Sequence, residues 1–443
     1  MTPFSARRWT ICALVLGVLA SIALAQGPAN IILFIGDGMG PEQVRAASLY
    51  ATGTEDGLIF HTFPRSGSVM TASANSHVTD SAAAATALAT GHKTDNGVLS
   101  VAIPGDGGPL ATALELAARS GRRTGLVSTK LVTDATPAAF GAHQGSRGSA
   151  PEILNDYLTS SRPDVILGGG PKDARQAAEQ AGYAVVTSKD ELTQAVAAHR
   201  IRVFGMFGNG NMPPAIPRKP KPKKAATQSQ PATQMAAAVA GKDAGSAGAA
   251  AASQPASGPE AAKPKPPLPS LAEMTSAALA LLEGPNGFFV MIEGGQIDSA
   301  GHANELEWNI RETLELDKAV RVAMEWAASR QDTLIIVTAD HETGGLTVVA
   351  SNGAGQLPTV TWASGGHSDA DVPLWAWGAC ADRLCGAEEA DGKADGKADG
   401  KKKAALLDNT IVGRWLMTLS AQPAEVSPVA HKPAAADAVQ VAP

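Results

Sequence analysis

Asp37, Ser81, Glu293, Asp298, His302, Asp340, His341 and His367 are the residues whose types and spacing could do chemistry together. Asp37 and Asp340 each close a short apolar run, Asn30 to Gly36 and Thr333 to Ala339, and Glu293 closes Phe288 to Ile292. Glu293 leads into Gly294-Gly295-Gln296-Ile297-Asp298-Ser299-Ala300-Gly301-His302, where Asp298 and His302 are four apart. One helical turn or a compact loop lets both face one ion. Asp340 and His341 are adjacent and would point to opposite faces of a regular strand. They can share an ion only where the strand ends and the backbone turns, which Glu342-Thr343-Gly344-Gly345 permits. Neutral imidazole with carboxylate suits zinc, whereas an all-oxygen set of Asp, Glu and Thr suits magnesium.

Ser81 heads a run of small helix-forming residues, Ser81 to Ala87, with Asp80 or Thr79 as the cap. Free N–H groups of a first turn, together with the helix dipole, attract an anion there, and a serine so placed could attack a bound phosphate. Taken singly, each fragment has a plainer reading: a capped Ala-rich helix, a surface Asp-His pair, a Gly-Asp-Gly turn. What joins them is that several follow candidate strands and use the same ligand types. His61, His77, His92, His143, His199 and His431 lack such company and read as structural or solvent-exposed.

Residues so scattered need a scaffold that gathers them. Further apolar runs at Thr124 to Ser128, Asp164 to Leu167, Arg202 to Phe207 and Pro373 to Trp377 read as buried strands. Between most of the runs lie Ala111 to Ala118, Ala150 to Leu158, Asp173 to Ala181 and Leu192 to Ala198, which read as helices, and the longest helix is expected from about Asn304 to Ala328. This alternation predicts an α/β fold with a central, mainly parallel sheet flanked by helices on both faces. Ligands of such sheets bind beyond the carboxyl ends of the strands, so the acids and histidines are expected to converge at one edge.

Residues 1 to 25 read as a secretory signal: Arg7 and Arg8, an apolar run from Trp9 to Ile22, then Ala23-Leu24-Ala25 before Gln26. The apolar run is shorter than the roughly 20 residues of a spanning helix, so cleavage and a periplasmic or secreted location are expected, with no membrane span left afterwards. Cleavage removes two arginines and no acids, so the formal charge of −6 becomes −8. That balance gives no reason to expect nucleic acid as a partner. Cys380 and Cys385 remain, a candidate disulfide in an oxidising compartment, with free thiols or half of a metal site as alternatives. One catalytic domain is expected over residues 26–421. It is interrupted by a disordered Pro/Ala/Lys-rich insert at 213–269 and a flexible loop at 386–403 carrying three Ala-Asp-Gly-Lys repeats, and it is followed by a disordered tail at 422–443.

Six blocks, in order from Asn30 to Gly40, Val78 to Ala87, Thr133 to Ala139, Glu293 to His302, Thr338 to Gly345 and Gly366-His367, together resemble the alkaline phosphatase family. The resemblance implies a three-layer sandwich, hydrolysis of phosphate monoesters of broad range, Ser81 as a nucleophile that becomes phosphoserine, and two zinc ions with one magnesium. It implies that Asp37, Asp340 and His341 hold the zinc that lowers the pKa of the serine. Asp298, His302 and His367 would hold a second zinc, which stabilises the leaving oxygen. Asp37, Thr136 and Glu293 resemble the magnesium set, with Asp134 reaching that ion through water. Arg147 lies at the spacing of the family's phosphate-clamping arginine, and a homodimer would be an analogy only. Three departures stand out: Ser299 replaces a lysine that some bacterial relatives carry near the phosphate, the segment from His341 to His367 is short, and the 213–269 insert is unexplained. Two other readings stay open. One is a phosphodiesterase of the same superfamily, from which Ser81, Arg147 and the Thr136/Glu293 pair point away; the other is a non-catalytic phosphate- or metal-binding envelope protein.

Overall fold

Every apolar run assigned to a strand is one, and most of them lie side by side. The computed structural model describes residues 27–171, 174–216, 266–385 and 405–423. In chain order the elements begin with β1 (Asn30–Gly36), α1 (Pro41–Thr52), β2 (Arg65–Met70), α2 (Ser81–Thr90), α3 (Ala113–Arg119), β3 (Arg123–Leu131), α4 (Ala135–Gly141) and α5 (Ala150–Thr159). There follow β4 (Val165–Gly170), α6 (Ala174–Gln180), β5 (Ala184–Val186), α7 (Lys189–Ala197), β6 (Val203–Asn209), α8 (Leu271–Leu282), β7 (Phe288–Gly294), α9 (Gln296–Ala303) and α10 (Leu306–Ala327). The chain continues through β8 (Thr333–Ala339), β9 (Glu342–Thr343), β10 (Leu346–Ala350), β11 (Thr359–Trp362), β12 (His367–Ser368), β13 (Val372–Gly378), α11 (Ala381–Cys385), β14 (Ala405–Asp408) and α12 (Asn409–Ala421).

Ten strands form one sheet in the order β14-β2-β13-β8-β1-β7-β3-β4-β6-β5. All neighbours run parallel except at β13, which is antiparallel to both β8 and β2. The central strands β1, β7 and β8 are buried at every residue, as strands covered by helices on both faces must be. Register brings the expected acids together: Gly36 pairs with Gly294 on one side and Ala339 on the other, and Glu293 pairs with Ile35 and Ser128. Asp37 and Asp340 therefore leave adjacent strands at the same level.

The structure refines several expectations. The segment assigned to one helix from about Asn304 is α10, and Asn304 itself, with φ of 53°, caps the separate α9. The short stretch from His341 to His367 forms β9, a β10–β11 hairpin and the start of β12, in which His367 pairs with Thr343. The ends of the expected insert are docked rather than free: Ala215 N donates to Glu312 Oε1 at 2.8 Å, Lys189 N to the Pro267 carbonyl at 3.0 Å, and Pro269 is buried. Likewise Gln422, assigned to the tail, accepts from the buried Arg122 at 2.6 Å. Of the candidate pair Cys380 and Cys385, Cys380 carries a free thiol, one of the alternatives left open, and the Cys385 side chain lies outside the described residues. Residues 1–26, 217–265, 386–404 and 424–443 also lie outside them, and with them the signal segment, most of the insert, the repeats, His431 and most of the tail. Among the described residues no helix is long and apolar enough to cross a membrane.

One half-buried pair away from the sheet edge ties α3 to the loop after α4. Glu115 Oε2 accepts from Thr112 N in a capping box at the start of α3, while Oε1 lies 2.9 Å from His143 Nε2. His143 Nδ1 lies 2.9 Å from the Ser100 carbonyl, so both ring nitrogens face acceptors and the imidazolium is favoured. Burial opposes both charges, yet Glu115 and the Ser100 carbonyl hold His143 above 6.5, and His143 with the Thr112 N–H holds Glu115 below 4.5. The histidine's contribution is full below pH 6.5 and fades as pH rises through its raised value. The carboxylate's is full above 4.5 and fades as pH falls through its lowered one. Glu115→Gln, which keeps a capping acceptor, is expected to cost about 0.5 to 1 kcal/mol at pH 5.5 after allowing for solvent screening, and less at pH 8.5. Denaturant melts at the two pH values check this, and an equal loss at both would exclude the ion pair as the cause.

Candidate active site

The first turn of α2 is built by its cap. Asp80, with extended backbone, accepts from Ala83 N and Gly97 N through Oδ1, both at 3.0 Å. Ser81 is the first residue of the helix, 3 % exposed, and its Oγ lies 3.1 Å from His341 Nε2. The helix is alanine-rich because its whole length is buried, and α12 crosses it closely enough that a Cβ on Gly413 would stand 2.0 Å from the Ala87 carbonyl oxygen. Small side chains on both helices let that contact form and fix the level of Ser81.

Around His341 Nε2 three oxygens gather: Ser81 Oγ at 3.1 Å, Asp340 Oδ2 at 3.4 Å and Asp37 Oδ1 at 3.5 Å. Strand β8 ends at Ala339, so Asp340 and His341 sit in the turn before β9, where neighbours can face the same point. Asp340 Oδ1 is fixed by Gly38 N at 3.1 Å and His341 N at 2.9 Å. Asp340 Oδ2 and Asp37 Oδ1 are buried without a hydrogen-bond partner among the described residues. Unpaired buried carboxylate oxygens are costly unless a cation meets them.

A second cluster shares the edge. Asp298 Oδ1 lies 3.2 Å from His302 Nε2 and 3.6 Å from His367 Nε2, and the two imidazole nitrogens are 3.3 Å apart. Asp298 and His302 lie one turn apart on α9. The remaining nitrogens are occupied: His302 Nδ1 lies 2.7 Å from the Gly365 carbonyl and His367 Nδ1 2.9 Å from the Thr79 carbonyl. A carbonyl requires a proton on Nδ1, so it is in the neutral ring that each Nε2 turns a lone pair toward Asp298. His341 and His367 stack with centroids 3.7 Å apart, so the two clusters adjoin and Asp298, His341 and His367 also group closely.

The remaining expected residues lie beside these clusters. Glu293 is fully buried, its Oε2 accepting from Ser128 Oγ at 2.5 Å and its Oε1 unpaired. Thr136 is buried in the first turn of α4, which Asp134 caps by accepting from Ala135 N at 2.8 Å. Arg147 donates from Nη1 to Asp80 Oδ2 at 3.0 Å and from Nη2 to Asp134 Oδ1 at 3.3 Å. The acid that caps the Ser81 helix thus also positions the arginine, a link the sequence reading did not contain.

Lys130 was missed altogether. Its Nζ lies 2.5 Å from Asp37 Oδ2, 3.0 Å from Asp298 Oδ2 and 3.8 Å from Asp134 Oδ2. Its place near the end of an apolar strand, four residues before Asp134, is no signal by itself, because a strand-end lysine can equally face solvent. Thr343, also missed, donates to Asp298 Oδ1 at 2.7 Å.

Packing this many acids out of water sets the electrostatics. Burial pushes Asp37 well above the carboxylate range, helped by Asp340 and Asp298 and opposed by Lys130. Burial raises Glu293 to about 8 and Asp340 to about 7, and lowers His341 and His367 to about 4. Burial works against the charge of Lys130, yet the surrounding acids Asp37, Asp298, Asp134 and Glu293 raise it well above its usual value. The hydrogen bond to Asp298 pushes His302 up to about 9, so a cation at Nε2 must displace a proton.

A family model described as alkaline phosphatase matches residues 28–359. Alkaline phosphatase of Escherichia coli is 35% identical over 363 residues, covering 72% of this chain and 71% of that one. Alkaline phosphatase 4 of Bacillus subtilis is 34% identical over 341 residues, 73% of this chain but only 63% of that relative's length. Among solved structures, an alkaline phosphatase from the Antarctic bacterium TAB5 superposes with a TM-score of 0.66 at 25% identity, covering 90% of this chain and 99% of that one. A variant of that enzyme, matching equally well, has Mg bound in its M3 site.

Proposed function

This chain belongs to the alkaline phosphatase family, and on that premise we propose that it hydrolyses phosphate monoesters of broad range by way of a phosphoserine at Ser81, releasing inorganic phosphate. The observation that carries the proposal is Ser81 Oγ lying 3.1 Å from His341 Nε2, among unpaired carboxylate oxygens and at a helix N-terminus.

Zinc fits both clusters. Ligands about 2.0 to 2.1 Å from a tetrahedral zinc stand about 3.3 Å from one another. The separations of 3.1 to 3.5 Å around His341 Nε2 and of 3.2 to 3.6 Å among Asp298, His302 and His367 lie close to that edge. Asp37, Asp340 and His341 would hold one ion and Asp298, His302 and His367 another. When bound, zinc supplies Lewis acidity to the serine oxygen and to the leaving oxygen. The all-oxygen set expected to take magnesium fits less well, because Asp37 Oδ2 already accepts from Lys130.

The chain's own groups then have defined work. Ser81 Oγ gives up its proton to solvent and forms the new bond to phosphorus as the ester oxygen leaves with its electron pair; water later attacks phosphorus, and Oγ leaves and is reprotonated. N–H groups in the first turn of α2 favour the anion, and Asp80 and Asp134 hold Arg147 with donors to spare for phosphoryl oxygens. A dianionic monoester offers three non-bridging oxygens and a diester two, so this grip favours the monoester over the phosphodiesterase reading. Export through residues 1–25 is part of the same proposal, supported by their sequence.

The test compares p-nitrophenyl phosphate with bis(p-nitrophenyl) phosphate on zinc-loaded protein. Arg147→Ala is expected to weaken kcat/KM for the monoester by roughly 30- to 150-fold, the worth of about 2 to 3 kcal/mol of charge-assisted hydrogen bonds, and to narrow its lead over the diester. Faster diester turnover by the unmodified chain would reverse the assignment.

A further inference from the structure

We infer that Lys130 is a cation supplied by the chain itself at the place of a third metal, so that this protein carries zinc at two positions and binds no magnesium beside them. The inference rests on the zinc reading above and goes beyond it. Three carboxylates, Asp37, Asp298 and Asp134, surround the Lys130 ammonium at 2.5, 3.0 and 3.8 Å, and its side chain is only 7% exposed. The oxygen it takes on Asp37 is Oδ2, the one turned away from His341, while Oδ1 stays with the Ser81 cluster. The two oxygens of one acid thus divide between the zinc cluster and the lysine. An ion needing Asp37 Oδ2 would have to displace the ammonium.

The lysine's position is built from both ends. Its backbone N donates to Ser128 Oγ at 2.8 Å, and Ser128 Oγ donates in turn to Glu293 Oε2. Its stem lies over Gly295, where an added Cβ would stand 2.8 Å from Lys130 Cγ and 3.1 Å from Cδ, so a glycine there leaves the stem its room. Magnesium demands near-octahedral oxygen ligation and keeps several waters, which a buried ammonium and its methylenes exclude. Electrostatically the two solutions are alternatives: an ammonium offers one charge and three donors where the ion would offer two charges and a Lewis-acidic centre. Glu293 Oε1, unpaired among the described residues, is the oxygen that would anchor the ion if the lysine gave way.

Metal content of the full chain, loaded with zinc with and without magnesium and then dialysed, tests this directly. The unmodified protein is expected to hold about two zinc ions and no stoichiometric magnesium, with a melting midpoint in saturating zinc that magnesium leaves unchanged. Lys130→Met, which keeps the stem and removes the charge, is expected to gain about one magnesium per chain and a midpoint that rises with it. Should that variant fail to fold, the unmodified chain decides alone. Zinc together with one magnesium that Glu293→Gln removes would overturn the inference and leave the zinc reading intact. A chain that retains no zinc would overturn both.

Discussion

Ser81→Ala is expected to eliminate phosphoenzyme and to lower kcat for a monoester by about 10⁴-fold or more, with zinc content unchanged. The hydroxyl is buried at the first residue of α2, 3.1 Å from an imidazole that belongs with Asp37 and Asp340. Two nearby hydroxyls are already engaged: Thr79 Oγ1 donates to the Asp80 carbonyl at 3.0 Å and Thr343 Oγ1 to Asp298 Oδ1 at 2.7 Å. Removing the oxygen leaves the acids and histidines in place, since Asp340 is oriented by Gly38 N and His341 N rather than by the serine. Rapid quenching with labelled ester, followed by a search for acid-stable phosphoserine, reads the first effect, and metal analysis reads the control. Turnover within tenfold of the unmodified protein would remove Ser81 from the mechanism.

Asp340→Asn should be nearly as damaging for a different reason. Its Oδ1 accepts two backbone N–H groups, which an amide oxygen can also do. Keeping those bonds turns the amide N–H₂ toward the position of Oδ2, 3.4 Å from His341 Nε2, and presents donors where a cation needs an acceptor. The expected result is loss of about one zinc ion per chain and a fall in kcat/KM of about 10³-fold, the worth of roughly 4 kcal/mol of charge stabilisation. Metal-free protein should melt no lower than the unmodified chain, because the amide removes one charge from a buried group of acids. The upward shift of the midpoint on adding zinc should shrink. Full zinc content with full activity would show that Asp340 holds no ion.

These two variants also separate the catalytic readings from the binding one. A phosphate- or metal-binding protein without turnover would lose zinc with Asp340→Asn and show no phosphoserine in either form. A phosphatase would lose turnover in both, but metal only in the second.

The amino-acid sequence by itself determined the parts and their local roles. An apolar run such as Ile31 to Ile35 is too short for a helix and reads as an interior strand, and Gly36-Asp37-Gly38 ends it with an acid at the carboxyl edge. Helical spacing put Asp298 and His302 on one face, the end of β8 allowed Asp340 and His341 to meet, and Asp80 before an alanine run marked the cap of α2. Such signals are local, which is why they can be read from a string of residues. Tertiary structure alone decided what depends on register and on approach between distant segments. Parallel pairing of Gly36 with Ala339, some three hundred residues away, sets Asp37 beside Asp340. The antiparallel turn of β13, the docking of Ala215 and Pro269 at the edges of the insert, and the double use of Asp80 by a helix cap and an arginine are likewise matters of packing. Lys130 is the sharpest case, because nothing local distinguishes a strand-end lysine from a solvated one. Only the closure of β1, β3 and α9 around it places one ammonium among Asp37, Asp134 and Asp298, where burial makes its charge matter.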